Sequence, residues 1–274
     1  MSIRLRTLSE GDLDFANQLR EIAGWNQTLA DWRRFISLAP DGCFIVEWNG
    51  QPAGTATTTS YGQDLAWIGM VLVHPDFRRR GLGQALLEHC IHHLREVKKI
   101  RCVKLDATPD GQPLYEKLGF TAEWSLQRWV GTGGGQTSTA PHDSLNATSA
   151  KLDQEIFAAD RSDLLHSLAR DGLACRVLDD GSYGLMRPGM NATYLGSSVA
   201  TCAKSGTTIA RELIDCAPPS PLFWDLPDAN QAAIELAKSL DFEAKRDLLR
   251  MYLGDHNDAG APARMFGLAE PGLG

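Results

Sequence analysis

The 274 residues contain no apolar run near the ~18 that a membrane-spanning helix requires. The opening Met1-Ser2-Ile3-Arg4-Leu5-Arg6 lacks the apolar core of a secretory signal, so a cytoplasmic protein without a membrane partner is expected. Cysteine is sparse and scattered. Cys43, Cys90, Cys102, Cys175, Cys202 and Cys216 form no CxxC pair, which argues for reduced structural thiols rather than a zinc ribbon or a disulfide framework. His89, His92 and His93 fall at helical spacing without an evident carboxylate partner, so no metal is expected there. A basic excess is also absent. The net charge is −7, acids and bases balance through Gly131, and the remainder carries all of the acidity. That composition argues against a nucleic-acid partner. An acidic second half suits the attraction of a cationic amine, and equally a plain solvated surface.

What is present is an orderly alternation of strand and helix patterns. Residues 3–8 alternate as a strand, and Leu13, Phe15, Ala16, Leu19 and Ile22 mark one face of a helix. Thr28 is placed to cap a second helix carrying Leu29, Trp32, Phe35 and Ile36. Cys43–Trp48 and 53–60 read as a hairpin turned by Asn49-Gly50, followed by a central strand at Leu65–Val73. A helix at 82–97, a strand at 101–106, a short helix at 113–118 and strands around 121–130 complete a mixed α/β unit. Residues 132–147, rich in Gly, Ser and Thr, read as a flexible linker between a domain at 1–131 and another at 148–274.

The organising stretch runs from Met70-Val71-Leu72-Val73 through His74-Pro75-Asp76 into Arg78-Arg79-Arg80-Gly81-Leu82-Gly83-Gln84 and the apolar helix beginning at Ala85. A strand, a basic glycine loop and a helix in that order bring free backbone N–H groups and a helix dipole to one point, which suits a pyrophosphate. The loop fits R-x-x-G-x-G through Arg78, Gly81 and Gly83. The sequence Leu114-Tyr115-Glu116-Lys117-Leu118-Gly119-Phe120 follows at the end of the short helix.

In these motifs, and in the element order of 1–131, the chain resembles the GNAT superfamily of acyl-CoA-dependent N-acyltransferases. The resemblance implies that Val71, Leu72 and Val73 bind a pantetheine arm through their main chain. It implies that Arg78, Arg79, Arg80, Gly81, Leu82, Gly83 and Gln84 hold the phosphates of acetyl-CoA, and that a backbone N–H of Val71 or Leu72 polarises the thioester carbonyl. Tyr115 matches the tyrosine that protonates the leaving thiolate. Asp64, at the start of the central strand, matches the carboxylate that takes the ammonium proton. Trp25, Asn26 and Gln27 fall in the loop between the first two helices that usually covers the acceptor. One departure is visible: Thr108-Pro109-Asp110-Gly111 stands where many relatives carry an asparagine that contacts the cofactor.

The second half reads as a divergent repeat. With an offset of 122, Leu118 falls on Leu240, Phe120 on Phe242, Ala122 on Ala244 and Arg128 on Arg250. The chemistry does not repeat. Thr201-Cys202-Ala203-Lys204-Ser205-Gly206 has no R-x-x-G-x-G, and Ala237 stands in the place of Tyr115. The resemblance therefore extends to a tandem-GNAT arrangement with one cofactor site, each domain a central, mostly antiparallel sheet with a splayed parallel strand pair and flanking helices. The expected activity is acetyl transfer from acetyl-CoA to the primary amine of a small molecule in a ternary complex. A peptide or protein acceptor, or a non-catalytic acyl-CoA sensor, are the alternatives. The residues leave open whether the chain is a monomer or a homodimer.

Overall fold

Local chemistry sets the first elements. Thr28 and Asp31 form a reciprocal cap in which Thr28 N–H donates to the Asp31 carboxylate at 2.7 Å and Asp31 N–H donates to Thr28 Oγ1 at 3.3 Å. Asn49 and Gly50 both take positive φ, 50° and 83°, as a two-residue hairpin turn requires. The computed structural model describes residues 2–135, 140–256 and 259–274. The first half contains β1 (Ile3–Thr7), α1 (Leu13–Ile22), α2 (Leu29–Leu38), β2 (Cys43–Trp48), β3 (Gln51–Tyr61), β4 (Leu65–Val73) and α3 (Leu82–His92), followed by β5 (Cys102–Ala107), α4 (Gln112–Lys117) and β6 (Thr121–Thr132). The second half repeats the order, among the described residues without a counterpart of β1: α5 (Ala147–Phe157), α6 (Ser162–Arg170), β7 (Ala174–Val177), β8 (Tyr183–Arg187), β9 (Thr193–Val199), α7 (Ala203–Cys216), β10 (Pro221–Pro227), α8 (Gln231–Ser239) and β11 (Glu243–Gly254). A last short strand, β12 (Met265–Gly267), follows.

All twelve strands join one mixed sheet in the order β1-β2-β3-β4-β5-β11-β6-β10-β9-β8-β7, with β12 against β9. Among these strands β4/β5 and β9/β10 are the parallel pairs. The centre of the sheet holds an exchange. β11 of the second half, not β6, lies against β5, and β6 of the first half lies against β10. The two exchanged strands pair with each other, Leu126 opposite Leu248, positions equivalent in the repeat. Each carries an arginine into the opposite half. Arg250 grips Asp106 of β5 at 2.8 and 2.9 Å, and Arg128 grips Asp225 of β10 at 2.7 and 2.7 Å. The two forks are repeats of each other and all four side chains are buried.

The core lies on both faces of this sheet. Trp32, Phe35, Trp67, Phe157 and Tyr183 pack in a cluster that runs across both halves. Leu86, Leu87 and Cys90 press α3 onto the other face of the first half, with Leu94 just beyond its end in the same cluster. The expected linker begins as a seam: the N–H groups of Gly133, Gly134 and Gly135 donate to the carbonyls of Ser220, Ile214 and Ala217. A Cβ on Gly133 would come within 2.1 Å of the Pro218 oxygen, so this approach requires glycine. Residues 136–139 of that stretch lie outside the described residues. No helix among the described residues is long and apolar enough to cross a membrane.

Candidate active site

The site begins as a defect in β4. Met70 takes φ 50°, and the register against β3 slips between Thr55/Leu72 and Thr57/Gly69, the signature of a bulge. Thr55 pins it by donating its hydroxyl to the Met70 carbonyl at 2.9 Å. On its other side β4 pairs with β5 only over Leu65–Trp67. Beyond Trp67 the parallel strands part, and the main chain of 68–73 has no strand partner on that side. A cleft of ≈ 280 Å³ opens there. Val71 and Val73 line it together with Gly83, Leu105, Asp106 and Tyr115. Leu72 points the opposite way into the core, as strand alternation requires.

The basic loop stands at one end of this cleft. Gly81 takes φ 79° and caps α3, with Leu82 buried beneath it and Gly83 lining the cleft. The arginines are exposed, and two of them are anchored to their own loop. Arg78 Nε donates to the Val73 carbonyl at 3.1 Å and Arg80 Nη2 to the Asp76 carbonyl at 3.0 Å, with Arg80 also over the rings of Trp48 and Phe77. Arg79, at φ 59°, bends the loop. Gln84 is engaged with Glu88 at 2.7 Å. An exposed helix start flanked by anchored guanidinium groups, next to a strand with an unpaired edge, is a cradle that fits an acyl-CoA pyrophosphate and pantetheine arm.

Tyr115 lies across the cleft from β4. Its ring rests against Gly111, where a Cβ would stand 2.8 Å from Tyr115 Cε2. Burial pushes the phenol up to about 12, so it stays protonated at neutral pH. Asp64 is elsewhere. It sits before the opposite end of β4, exposed, in an ion pair with Arg101, and borders a separate depression with Cys102 and Lys104. The structure therefore does not bring Asp64 to Tyr115: the parallel pairing that opens the cleft at one end of β4 closes it at the end Asp64 occupies. The carboxylates that do line the cleft are Asp106 and Asp110. Burial raises the Asp106 carboxyl above its usual range against the pull of Arg250.

At the acceptor end the α1–α2 loop divides its residues. Trp25 and Gln27 line the cleft. Asn26 turns away and stitches the two halves: its Oδ1 accepts from the N–H groups of Asn191 and Ala192 at 2.9 and 3.0 Å, and its Nδ2 donates to the Ala192 carbonyl at 3.0 Å. That amide-to-backbone pairing commits the Asn26 oxygen and one of its two N–H donors to the second half, and Asn26 is not among the residues that line the cleft. Three features here carried no sequence motif. The segment 268–274 is largely buried, with Pro271 and Gly272 lining the cleft and Tyr61 and Trp67 donating to the Leu273 and Pro271 carbonyls. Glu270 is buried between Gln27 and Arg187, and burial lifts its carboxyl to about 7. Arg128 and Arg246 come from the exchanged strands. All arrive through tertiary pairing, which no local pattern signals.

In the second half the equivalent splay is filled. β9 and β10 pair only over Thr193–Leu195 and Leu222–Trp224, and β12 enters where they part, pairing with β9 through Met265 and Gly267. Trp224 Nε1 donates to the Phe266 carbonyl at 2.6 Å, and Leu268 N–H to the Asp225 carbonyl at 3.1 Å. Phe266 also packs on Gly206 in the first turn of α7. His89 and His93 lie edge-on to Phe44, which accounts for them without a ligand. Among the described residues no group of three or more His, Cys, Asp or Glu side chains is placed to hold a metal ion.

The acetyltransferase (GNAT) family model matches residues 13–120, and an acetyltransferase (GNAT) domain model matches residues 149–267. The chain belongs to the GNAT acetyltransferases, with two such domains in tandem, and is an acyltransferase whose donor is an acyl-CoA. It is 26% identical over 245 residues to a holothin acyltransferase of Pseudoalteromonas, a match spanning 84% of this chain and 81% of that one. A crystal structure of a Pyrococcus horikoshii protein provisionally assigned as an acetyltransferase shares the fold at TM-score 0.86 and 20% identity, over 99% of this chain and 96% of that one. A tandem GNAT protein from the clavulanic acid biosynthesis pathway shares it at TM-score 0.64 and 13% identity, over 94% of this chain and all (100%) of the other.

Proposed function

We propose that residues 1–131, completed by β11, transfer an acetyl group from acetyl-CoA to the primary amine of a small molecule by direct attack in a ternary complex. The observation that supports this reading is the convergence on one cleft of the unpaired edge of β4, the start of α3 and the protonated Tyr115 phenol. In this reading the N–H groups at Val71–Val73 hold the pantetheine arm and polarise the thioester carbonyl. Residues 79–84 hold the phosphates, and Tyr115 delivers its proton to the departing sulfur. The proton of the attacking ammonium goes to water or to one of the two carboxylates that line the cleft, Asp106 and Asp110. Residues 148–274 act as a divergent domain without a cofactor site of its own. A small acceptor is favoured over an extended peptide because Gly272 closes onto Gly69, where a Cβ would stand 2.6 Å from its Cα.

The test is thiol release from acetyl-CoA across a panel of small amines and short peptides, comparing wild type with Tyr115→Phe. Turnover of small amines that collapses in the variant supports the reading. Turnover of peptides alone transfers it to a peptide acetyltransferase. Acetyl-CoA binding with no turnover of any amine removes the enzymatic assignment.

A further inference from the structure

The acceptor end of the cleft holds a cation without a counter-ion. Arg246 lines the cleft and is half-buried, yet its guanidinium makes no hydrogen bond and no ion pair among the described residues. Its surroundings make that position costly. A break in register between Ala244 and Arg246 sets Arg246 directly opposite Arg128 on β6, and like charges in such cross-strand pairs repel. Arg128 is already neutralised by the two-pronged contact with Asp225, which also accepts from the Tyr194 hydroxyl at 2.8 Å. Partial burial, and then the Arg128 charge, lower the Arg246 pKa, with Asp225 opposing.

The internal repeat sharpens the anomaly. The position equivalent to Arg246 is Trp124, whose ring faces Arg250 at 4.1 Å. One copy thus sets an aromatic ring beside its buried arginine, and the other sets a second arginine there. That exchange weakens packing and adds repulsion, so folding alone does not explain it. Two further groups point to a ligand. The Trp25 ring lies 5.8 Å from the Arg246 guanidinium, a contact that supports one face of the plane. Gln27, two residues along the same loop, lines the cleft with a buried side-chain oxygen that has no hydrogen-bond partner, its nitrogen being directed to Glu270 at 3.5 Å.

We propose that Arg246 anchors a carboxylate on the acceptor, so that the substrate is an amino acid or a similar amine bearing a carboxylate. This rests on the acetyltransferase reading of the cleft and narrows it. A planar guanidinium meets the two oxygens of a carboxylate in parallel, and the ligand anion supplies the charge that Asp225 cannot share. The Gln27 oxygen accepts from the amine at the other end of the same molecule. The purely cationic amine suggested by the acidity of the second half is disfavoured next to two guanidinium groups.

The experiment measures acetyl transfer by the full chain to glycine, β-alanine, 4-aminobutyrate and glutamate, to their carboxamides, and to 2-aminoethyl phosphate. The same compounds are titrated calorimetrically into the CoA-saturated protein. The expected result is a preference of at least ~100-fold in kcat/KM for one or more carboxylates over the matching amide, as for sites built to pair a polar group. In Arg246→Met the preference falls below ~5-fold while the KM for acetyl-CoA is unchanged, and Arg246→Lys retains an intermediate preference. Equal rates for acids and amides, a preference that survives in Arg246→Met, a better rate with the phosphate, or acetyl-CoA binding without any carboxylate binding each overturn the proposal. Failure to bind acetyl-CoA at all instead overturns the acetyltransferase reading beneath it.

Discussion

Tyr115 is poised to give a proton rather than to take one. A phenol pushed up to about 12 by burial is protonated at neutral pH. The amine nucleophile needs the opposite condition and becomes reactive as it loses its proton. The sign of the pH dependence follows. Rate should climb with pH as the amine deprotonates and then level off, with no descending limb until the phenol begins to ionise near 12. A pH profile of kcat/KM that falls between roughly pH 8 and 10 would contradict the acid role. Tyr115→Phe should lower kcat by ~10²–10⁴ with little change in the KM for acetyl-CoA, as loss of a general acid does. Gly111→Ala gives the same phenotype in weaker form, because its new methyl would stand 2.8 Å from the tyrosine ring and push it from the cleft. Steady-state thiol-release kinetics on both variants check this, and unaltered kinetics in Gly111→Ala would show that the ring position is not critical.

Two elements with the same ancestry of pattern meet different fates. β4 splays from β5 and leaves an open cleft, whereas β9 splays from β10 and is filled by β12. One acetyl-CoA per chain is therefore expected in a calorimetric titration, and a stoichiometry of two would show that β12 yields its place to ligand. Phe266, 1% exposed, holds that plug against α7 and β10, so Phe266→Ala should cost ~3–5 kcal/mol in a urea melt. Most elements of the first half were legible in the sequence, because each has its own signal. Thr28 announces α2, Asn49-Gly50 the hairpin, and Gly81 the start of α3. The candidate cofactor side carries signals of the same kind, since the strand, loop, helix and Tyr115 are local patterns at fixed spacing. The acceptor side was legible only in part, through Trp25 and Gln27, which line the cleft. Asp64 precedes the end of β4 remote from Tyr115, Asn26 is bonded to Asn191 and Ala192, and 255–274 carry no periodicity that foretells β12 or the buried tail. Those residues take their places through contacts between segments distant in the chain, such as Asn26 with Ala192 and Trp67 with Pro271.

At the scale of the whole molecule, the strand exchange makes the two halves one cooperative body. Neither β5 nor β10 finds its antiparallel neighbour within its own half, and each central aspartate finds its arginine across the boundary. Asp106 without Arg250 is a buried charge with nothing to offset it, which costs several kcal/mol even after relaxation. The pair itself need not be stabilising relative to an apolar replacement of the same volume. These two statements make a sharp expectation for a double-mutant cycle. Arg250→Met alone should lose ~3–5 kcal/mol, and adding Asp106→Leu should recover most of it. The same asymmetry should hold at Arg128 and Asp225, since the two forks are copies. Both single variants should shift one shared unfolding transition, because the exchanged strands leave no independent half to melt first. Urea unfolding followed by tryptophan fluorescence and by far-UV circular dichroism provides the measurement. Two separated transitions, or single and double variants of equal stability, would mean that the halves stand on their own cores and that the crossed ion pairs do not bind them together.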